Sequence, residues 1–162
     1  MSGFGRVVVG MASAEGVPYG VRALELLRDA SVEIHLVLTR PSEQALGADL
    51  ERVRSLADSV YAEENQAAPV SSGSFLTRGM VVAPCDGASL AAITLGLATN
   101  LVFRAADVTL KERRPLVLGL VPSRSTAIEE EHLARAAEVP GLCVVHLEGP
   151  VDAAAATLLE RL

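Results

Sequence analysis

Apolar and polar positions along the chain fall into two alternating patterns. Short aliphatic runs occur at residues 6–11 (RVVVGM), 32–38 (VEIHLVL), 80–85 (MVVAPC), 116–121 (LVLGLV) and 142–147 (LCVVHL). Such runs are apolar on both faces, which marks strands covered on both sides rather than strands with one wet face. A further short strand is expected around Val60 and Tyr61. Between the runs, apolar residues return with a helical period, as at Val21, Leu24, Leu27 and Ala30. Helices are expected over residues 42–57, 90–99, 101–113, 128–138 and 151–162 as well, Pro41 suiting the first turn of the second. Residues 63–77 are polar, small and rich in Ala, Ser and Gly, and read as a mobile loop.

Strands alternating with helices predict a parallel sheet with helices on both faces. Right-handed crossovers then give a three-layer, doubly wound α/β fold of the Rossmann or flavodoxin type, in one domain over residues 1–162. In such folds ligands bind beyond the carboxyl ends of the strands. Four junctions follow: residues 11–16, 39–42, 85–89 and 121–125. The first, Met11-Ala-Ser-Ala-Glu-Gly16, has small residues that let backbone N–H groups approach an anion, although it is also an ordinary strand-to-helix turn. Thr39 either donates its hydroxyl to the same ligand or caps the next helix.

Composition narrows the partners. The chain has 162 residues, net charge −6 and 3% aromatic residues without tryptophan, which argues against nucleic acid. Mean hydropathy is +0.36, yet no apolar run approaches the ~20 residues that span a bilayer. The first five residues lack the basic stretch of a secretion signal. Cys85 and Cys143 lie in or beside apolar runs and read as reduced thiols of a cytoplasmic protein, Cys85 more as a packed small hydrophobe than as a nucleophile. His35, His132 and His146 lack zinc-ligand spacing with one another or with a cysteine, so no metal site is expected.

One long stretch is more specific. Ser72-Gly-Ser-Phe-Leu-Thr77, Gly79-Met-Val81, Pro84-Cys-Asp86 and Asn100-Leu-Val-Phe-Arg-Ala-Ala-Asp-Val-Thr-Leu-Lys-Glu-Arg-Arg114, with Leu116-Val-Leu118, closely resemble the UbiX-type flavin prenyltransferases. That group lies within the homo-oligomeric flavin-containing cysteine decarboxylases. The resemblance extends more loosely through residues 16–20 and 35–39. It implies a Rossmann-like domain holding FMN at the carboxyl ends of the strands, with sites between subunits of a homo-trimer that is often built into a homo-dodecamer. The activity implied is lyase or transferase chemistry on a small-molecule substrate. Carried over residue by residue, the cofactor contacts fall on Ser13, Ala14, Thr39, Ser74, Cys85, Ser89, Arg104 and Lys111.

Departures cluster where the chemistry is expected. The family's Gly-Ala-Ser turn reads Ser13-Ala14-Glu15, and its Pro-Cys-Ser reads Pro84-Cys85-Asp86, so two hydroxyls have become acids. Asp49 falls where prenyltransferases carry a glutamate. Beyond Leu118 the family's Arg-Glu-x-Pro is replaced by Gly119-Leu-Val-Pro-Ser-Arg124, and its later tyrosine and basic residues have no counterpart, which points away from flavin prenylation itself. Arg124 is the nearby cation that could stand in for the lost arginine, but it is out of register with it. Three readings stand at this level. The first is a diverged FMN enzyme. The second is a flavin-independent acid–base enzyme using Glu15, Asp49 and Asp86 as catalytic groups. The third is a non-catalytic oligomeric scaffold. Arg104, Asp107, Lys111 and Glu112 also have the spacing of surface ion pairs on a helix.

Overall fold

The computed structural model describes residues 5–162; residues 1–4, part of the stretch read for a secretion signal, lie outside it. Six strands form one sheet: β1 (Arg6–Met11), β2 (Glu33–Leu38), β3 (Ser59–Ala62), β4 (Gly79–Cys85), β5 (Leu116–Leu120) and β6 (Leu142–His146). Every neighbouring pair is parallel, in the order β3-β2-β1-β4-β5-β6. The two-sided aliphatic pattern explains this, because successive side chains of each strand meet helices on opposite faces. Val7, Val9 and Met11 of β1 join one core with Leu24 and Leu27 of α1 (Val17–Asp29) and Val53 of α3 (Leu50–Ser55). Val8 points the other way, into a core with Leu90 of α4 (Gly87–Thr94), Val102 of α5 (Leu101–Lys111) and Ala136 of α6 (Ala127–Glu138). Under α7 (Val151–Glu160), Val117, Leu147 and Leu158 close a third cluster.

Gly20 shows how closely the layers approach. A Cβ there would collide with the Ala83 carbonyl of β4, so only glycine lets α1 lie against that strand.

The expected helix over 42–57 is two helices. Thr39 caps α2 (Arg40–Leu46), a 3-10 turn at Gly47–Asp49 intervenes, and α3 follows. Gly47 has φ +52, which ends the first helix. The expected helix over 90–99 begins three residues earlier and stops at Thr94, with Gly96 at φ +70. Its tail leaves Leu95 and Leu97 exposed.

The stretch read as a mobile loop is tied to the body along its length. Leu101 N–H donates to the Glu63 carbonyl, and Arg104 Nε to that of Ser71. Arg114 donates to the carbonyls of Gly73 at 2.8 Å and Phe75 at 2.9 Å. Arg6 donates to the Leu76 carbonyl, and its guanidinium lies 4.4 Å from the centre of the Phe75 ring. Cys85 is buried, Cys143 half-buried, and neither is disulfide-bonded. Among the described residues no helix is long and apolar enough to cross a membrane.

Candidate functional site

The strand order reverses direction between β1 and β4, so the crevice beyond their carboxyl ends is where this topology opens a binding site. Three turns border it. The turn after β1 is fixed to β4 by Ala12 N–H donating to the Pro84 carbonyl at 3.0 Å. Ser13 is buried, and its Oγ accepts from Glu15 N–H at 3.2 Å. Gly16 has φ +82, and a Cβ there would come within 2.7 Å of Val121 Cγ1 and 3.1 Å of Pro84 Cβ. The turns after β1, β4 and β5 therefore meet at a residue without a side chain. α1 then starts with no side-chain cap and with proline in its first turn. Pro18 has no N–H and the Tyr19 N–H donates to the Gly16 carbonyl at 3.0 Å, which leaves the Val17 N–H for solvent or a ligand. Ala14 and Glu15 are exposed at this turn.

The turn after β4 is built differently. Asp86 Oδ1 accepts from Ser89 N–H at 2.8 Å, making Asp86 the N-cap of α4. Aspartate serves that position as well as serine does, so the departure from the family's serine has a structural reason. Ser89 is buried, and its hydroxyl makes no hydrogen bond among the described residues. Cys85 is fully buried in the core; its thiol points to the Asp86 carbonyl at 3.6 Å, and burial, then the Asp86 charge, push its pKa far above the ordinary thiol value. The packed-hydrophobe reading of Cys85 fits this placement, and only its backbone lies near the crevice. Val121 N–H donates to the Cys85 carbonyl at 2.9 Å, bringing the turn after β5 alongside, with Arg124 exposed on it.

Thr39, at the end of β2, is buried and engaged. Its hydroxyl donates to the Met11 carbonyl at 3.0 Å, and its oxygen accepts from Ser42 N–H at 3.5 Å. Of the two roles open for it, the structure displays the cap.

The remaining expected residues do not join this crevice within one chain. α5 starts at the carboxyl edge, where Asn100 Nδ2 donates to Glu63, and ends at the opposite edge beside the start of β5. Lys111, in its last turn, pairs with Asp107 at 2.7 Å. Ser74 hydrogen-bonds Ser72 just before β4 begins, also at the amino edge. A strand the length of β4 spans roughly 20 Å, which separates both residues from Ser13 and Asp86. Arg104 lies on the outer side of α5, 3.8 Å from Asp107 and bonded to Ser71. The helical ion-pair spacing read from the sequence is thus realised as ion pairs.

Asp49 is exposed on the 3-10 turn, 3.6 Å from Arg52. It borders a separate groove of about 420 Å³ between α1 and the α2–α3 pair, floored by Val17, Val21 and Leu46. The three carboxylates expected to share one pocket are therefore divided. Glu15 is exposed at the β1 turn, Asp86 caps α4, and Asp49 faces Arg52 in that groove.

Sequence reasoning passed over two features. Glu129 and Ser123 form a pair at the start of α6, the Ser123 hydroxyl donating to the Glu129 carboxylate. A chain of polar contacts also crosses β2. His35 Nδ1 lies 2.9 Å from the Tyr61 hydroxyl and Nε2 2.8 Å from Glu33 Oε1, which also accepts from Arg6. Those partners, His35 first and then Arg6, hold the Glu33 carboxyl below its ordinary value.

Comparison with known proteins gives four findings. The model of a family described as Flavoprotein matches residues 2–155. A probable UbiX-like flavin prenyltransferase of Streptomyces sp. (strain D7) is 50% identical over 139 residues, which are 83% of this chain and 68% of that protein. A dodecameric FMN-dependent UbiX-like decarboxylase from Escherichia coli O157:H7 superimposes with a TM-score of 0.91 at 35% identity, over 96% of this chain and 92% of that one. AnUbiX (PadA1), in complex with FMN and dimethylallyl pyrophosphate, superimposes with a TM-score of 0.85 at 36% identity, over 96% of this chain and 90% of that one.

Proposed function

The chain belongs to the flavoprotein family, and from that membership we propose that it holds FMN in the crevice between β1 and β4 and carries out lyase or transferase chemistry on a small molecule. The observation that carries this reading is the meeting of three turns at Gly16, beside an α1 N-terminus that no side chain caps. The residues there fit FMN in kind. Ala14 is small and exposed beside the turn, the Val17 N–H at the start of α1 suits a phosphate oxygen, and the Ser89 hydroxyl has no protein partner among the described residues. The Asp86 cap leaves a carboxylate able to accept from sugar hydroxyls.

When bound, FMN supplies an electron-accepting and electron-donating ring. This chain supplies the rest. Backbone N–H groups hold the anion, Asp86 fixes the α4 turn, and Glu15, exposed at the mouth, holds or moves a proton at its carboxylate.

The FMN neighbour with the TM-score of 0.91 is a dodecamer, and the separation of Ser74 and Lys111 from the crevice supports a homo-trimer or homo-dodecamer here. In such an assembly these residues serve the crevice of an adjacent copy. A cytoplasmic setting goes with this reading, keeping Cys85 and Cys143 reduced.

The test is the visible absorption spectrum of the protein as purified and after addition of FMN and desalting. The reading expects retained flavin bands; a colourless chain after both steps overturns it.

A further inference from the structure

The sheet ends in two edge strands of different character. β3 is short and runs straight into Glu63 and Glu64, with Arg40 against both: its N–H donates to Glu63 at 2.8 Å and its guanidinium pairs with Glu64 at 2.8 Å. Brevity and charge are the usual protections of an open sheet edge. β6 (Leu-Cys-Val-Val-His) has no carboxylate, lysine, arginine or proline. Leu142 to Val145 are only half-buried, and among the described residues nothing pairs along their outer side. Leu133 and Ala136 of α6 and Val144 of β6 line an open groove of about 280 Å³ beside that edge.

The backbone groups on the outer side have a specific pattern. Leu116 N–H donates to the Gly141 carbonyl and Leu147 N–H to that of Leu120, both at 2.8 Å. In a parallel ladder alternate residues face the neighbouring strand. Cys143 and Val145 therefore bond β5, while Leu142, Val144 and His146 turn their backbone groups outward. Two of these groups are used within the chain: Leu142 N–H donates to the Val139 carbonyl at 3.2 Å, and the His146 carbonyl accepts from Glu148 N–H at 3.1 Å. The Val144 N–H and carbonyl, the Leu142 carbonyl and the His146 N–H have no backbone partner among the described residues; the Cys143 thiol lies 4.0 Å from the Val144 carbonyl.

This pattern is its own complement. When a second β6 lies antiparallel about a two-fold axis at Val144, the two Val144 residues exchange N–H···O bonds, and each His146 N–H meets the Leu142 carbonyl of the other copy. The Leu142 N–H and the His146 carbonyl then face each other, and both are already satisfied at home. A foreign strand laid there would leave its own N–H and carbonyl without partners opposite those two groups. Only a copy of this strand has them capped.

We propose that β6 is an interface at which a second copy of this chain joins antiparallel, making one sheet continuous across a two-fold axis. Such a contact is isologous, with the same residues on both sides, and it brings the groove at Val144 against its counterpart. The inference goes beyond the FMN reading and does not depend on flavin. It supplies the second contact through which trimers close into a dodecamer.

The test is the mass of the full chain by light scattering after gel filtration, for the wild type and Val144→Pro. Proline is tolerated on an edge strand where its N–H would face outward, so this variant removes the central donor and leaves the β5 ladder intact; a melting curve confirms its fold. The wild type should be a dimer or a dodecamer, and the variant a monomer or a trimer respectively. Register is read separately. In the proposed pairing Cys143 stands opposite residue 145 of the other copy, with Cα atoms about 4.5 Å apart, within disulfide reach. The two Cys143 residues lie roughly 7–8 Å apart, beyond that reach. Copper-phenanthroline oxidation of Val145→Cys should give a reducible dimer on a denaturing gel, and the wild type none. A monomeric or trimeric wild type overturns the inference, as does a folded Val144→Pro chain of unchanged mass or a Val145→Cys chain that stays uncross-linked. If Val144→Pro does not fold, the wild-type mass and the cross-link decide it. A chain that takes up no FMN overturns the reading under Proposed function alone.

Discussion

Asp86 and Ser89 are joined by a 2.8 Å hydrogen bond from the Ser89 N–H to the Asp86 carboxylate, so the acid at this turn opens α4. The carboxylate that reads as a catalytic candidate in the sequence has a local structural task. Serine at this position performs the same task. Asp86→Ala is expected to cost about 1 kcal/mol, lowering the melting temperature by roughly 2–4 °C. Asp86→Ser is expected to melt within a degree or so of the wild type. Thermal denaturation of the two variants checks both; equal losses in the two would remove the cap as the reason for Asp86.

Arg114 ties the residue 71–77 segment to the end of α5. Its guanidinium donates to the Gly73 and Phe75 carbonyls, and its side chain is only 14% exposed. Arg114→Ala should destabilise the fold by roughly 1–3 kcal/mol, since two carbonyls lose their donors. Lysine has no planar fork to reach both carbonyls, so Arg114→Lys should recover only part of this. Limited proteolysis should show new cleavage between residues 72 and 77 in the alanine variant, and an unchanged digestion pattern would count against the tether.

Acid stability should depend on Asp58. The Ile34 N–H donates to Asp58 Oδ2 at 2.8 Å, and Arg28 adds a 3.2 Å ion pair. These hold the carboxyl below its ordinary value, the backbone N–H foremost. A carboxyl whose pKa falls on folding stabilises the fold at any pH above its unfolded value and loses that contribution as pH drops through the folded value. The melting temperature should therefore be level from neutral pH to about 5 and fall below about 4. Asp58→Asn should lower the plateau and soften the fall. Melting curves across this range decide it, and a variant with the wild-type profile would contradict the assignment.

The two thiols should differ in reactivity. Burial pushes the Cys85 thiol far up, and Cys143 sits half-buried on β6. Ellman's reagent should modify Cys143 in the native protein and reach Cys85 only after unfolding in guanidinium. Rapid modification of both in native buffer would contradict the core placement of Cys85.

Much of this architecture is written in the chain because each buried strand is apolar on both faces, as at Val7, Val8 and Val9. The break at Gly47 and the early end of α4 before Gly96 were signalled by glycines, whose left-handed φ only the folded chain reveals. The site was harder to read. The resemblance groups Lys111 and Ser74 with the cofactor residues, but α5 carries Lys111 to the other edge of the sheet, and Ser74 precedes β4 at that same edge. Asp86 looked like free acid chemistry because its partner is a backbone N–H, which no side-chain pattern discloses. The Ser123–Glu129 pair depends on a turn closing over Gly87, a packing outcome rather than a motif.

The central claim is that flavin occupies the crevice where the β1, β4 and β5 turns meet at Gly16. Fluorescence titration of FMN against the wild-type chain and against Gly16→Val tests it most directly, with melting curves to confirm that the variant folds. Saturable quenching at one FMN per chain in the wild type, lost in Gly16→Val, is the expected result. No quenching in the wild type, or equal quenching in a folded Gly16→Val chain, would contradict it.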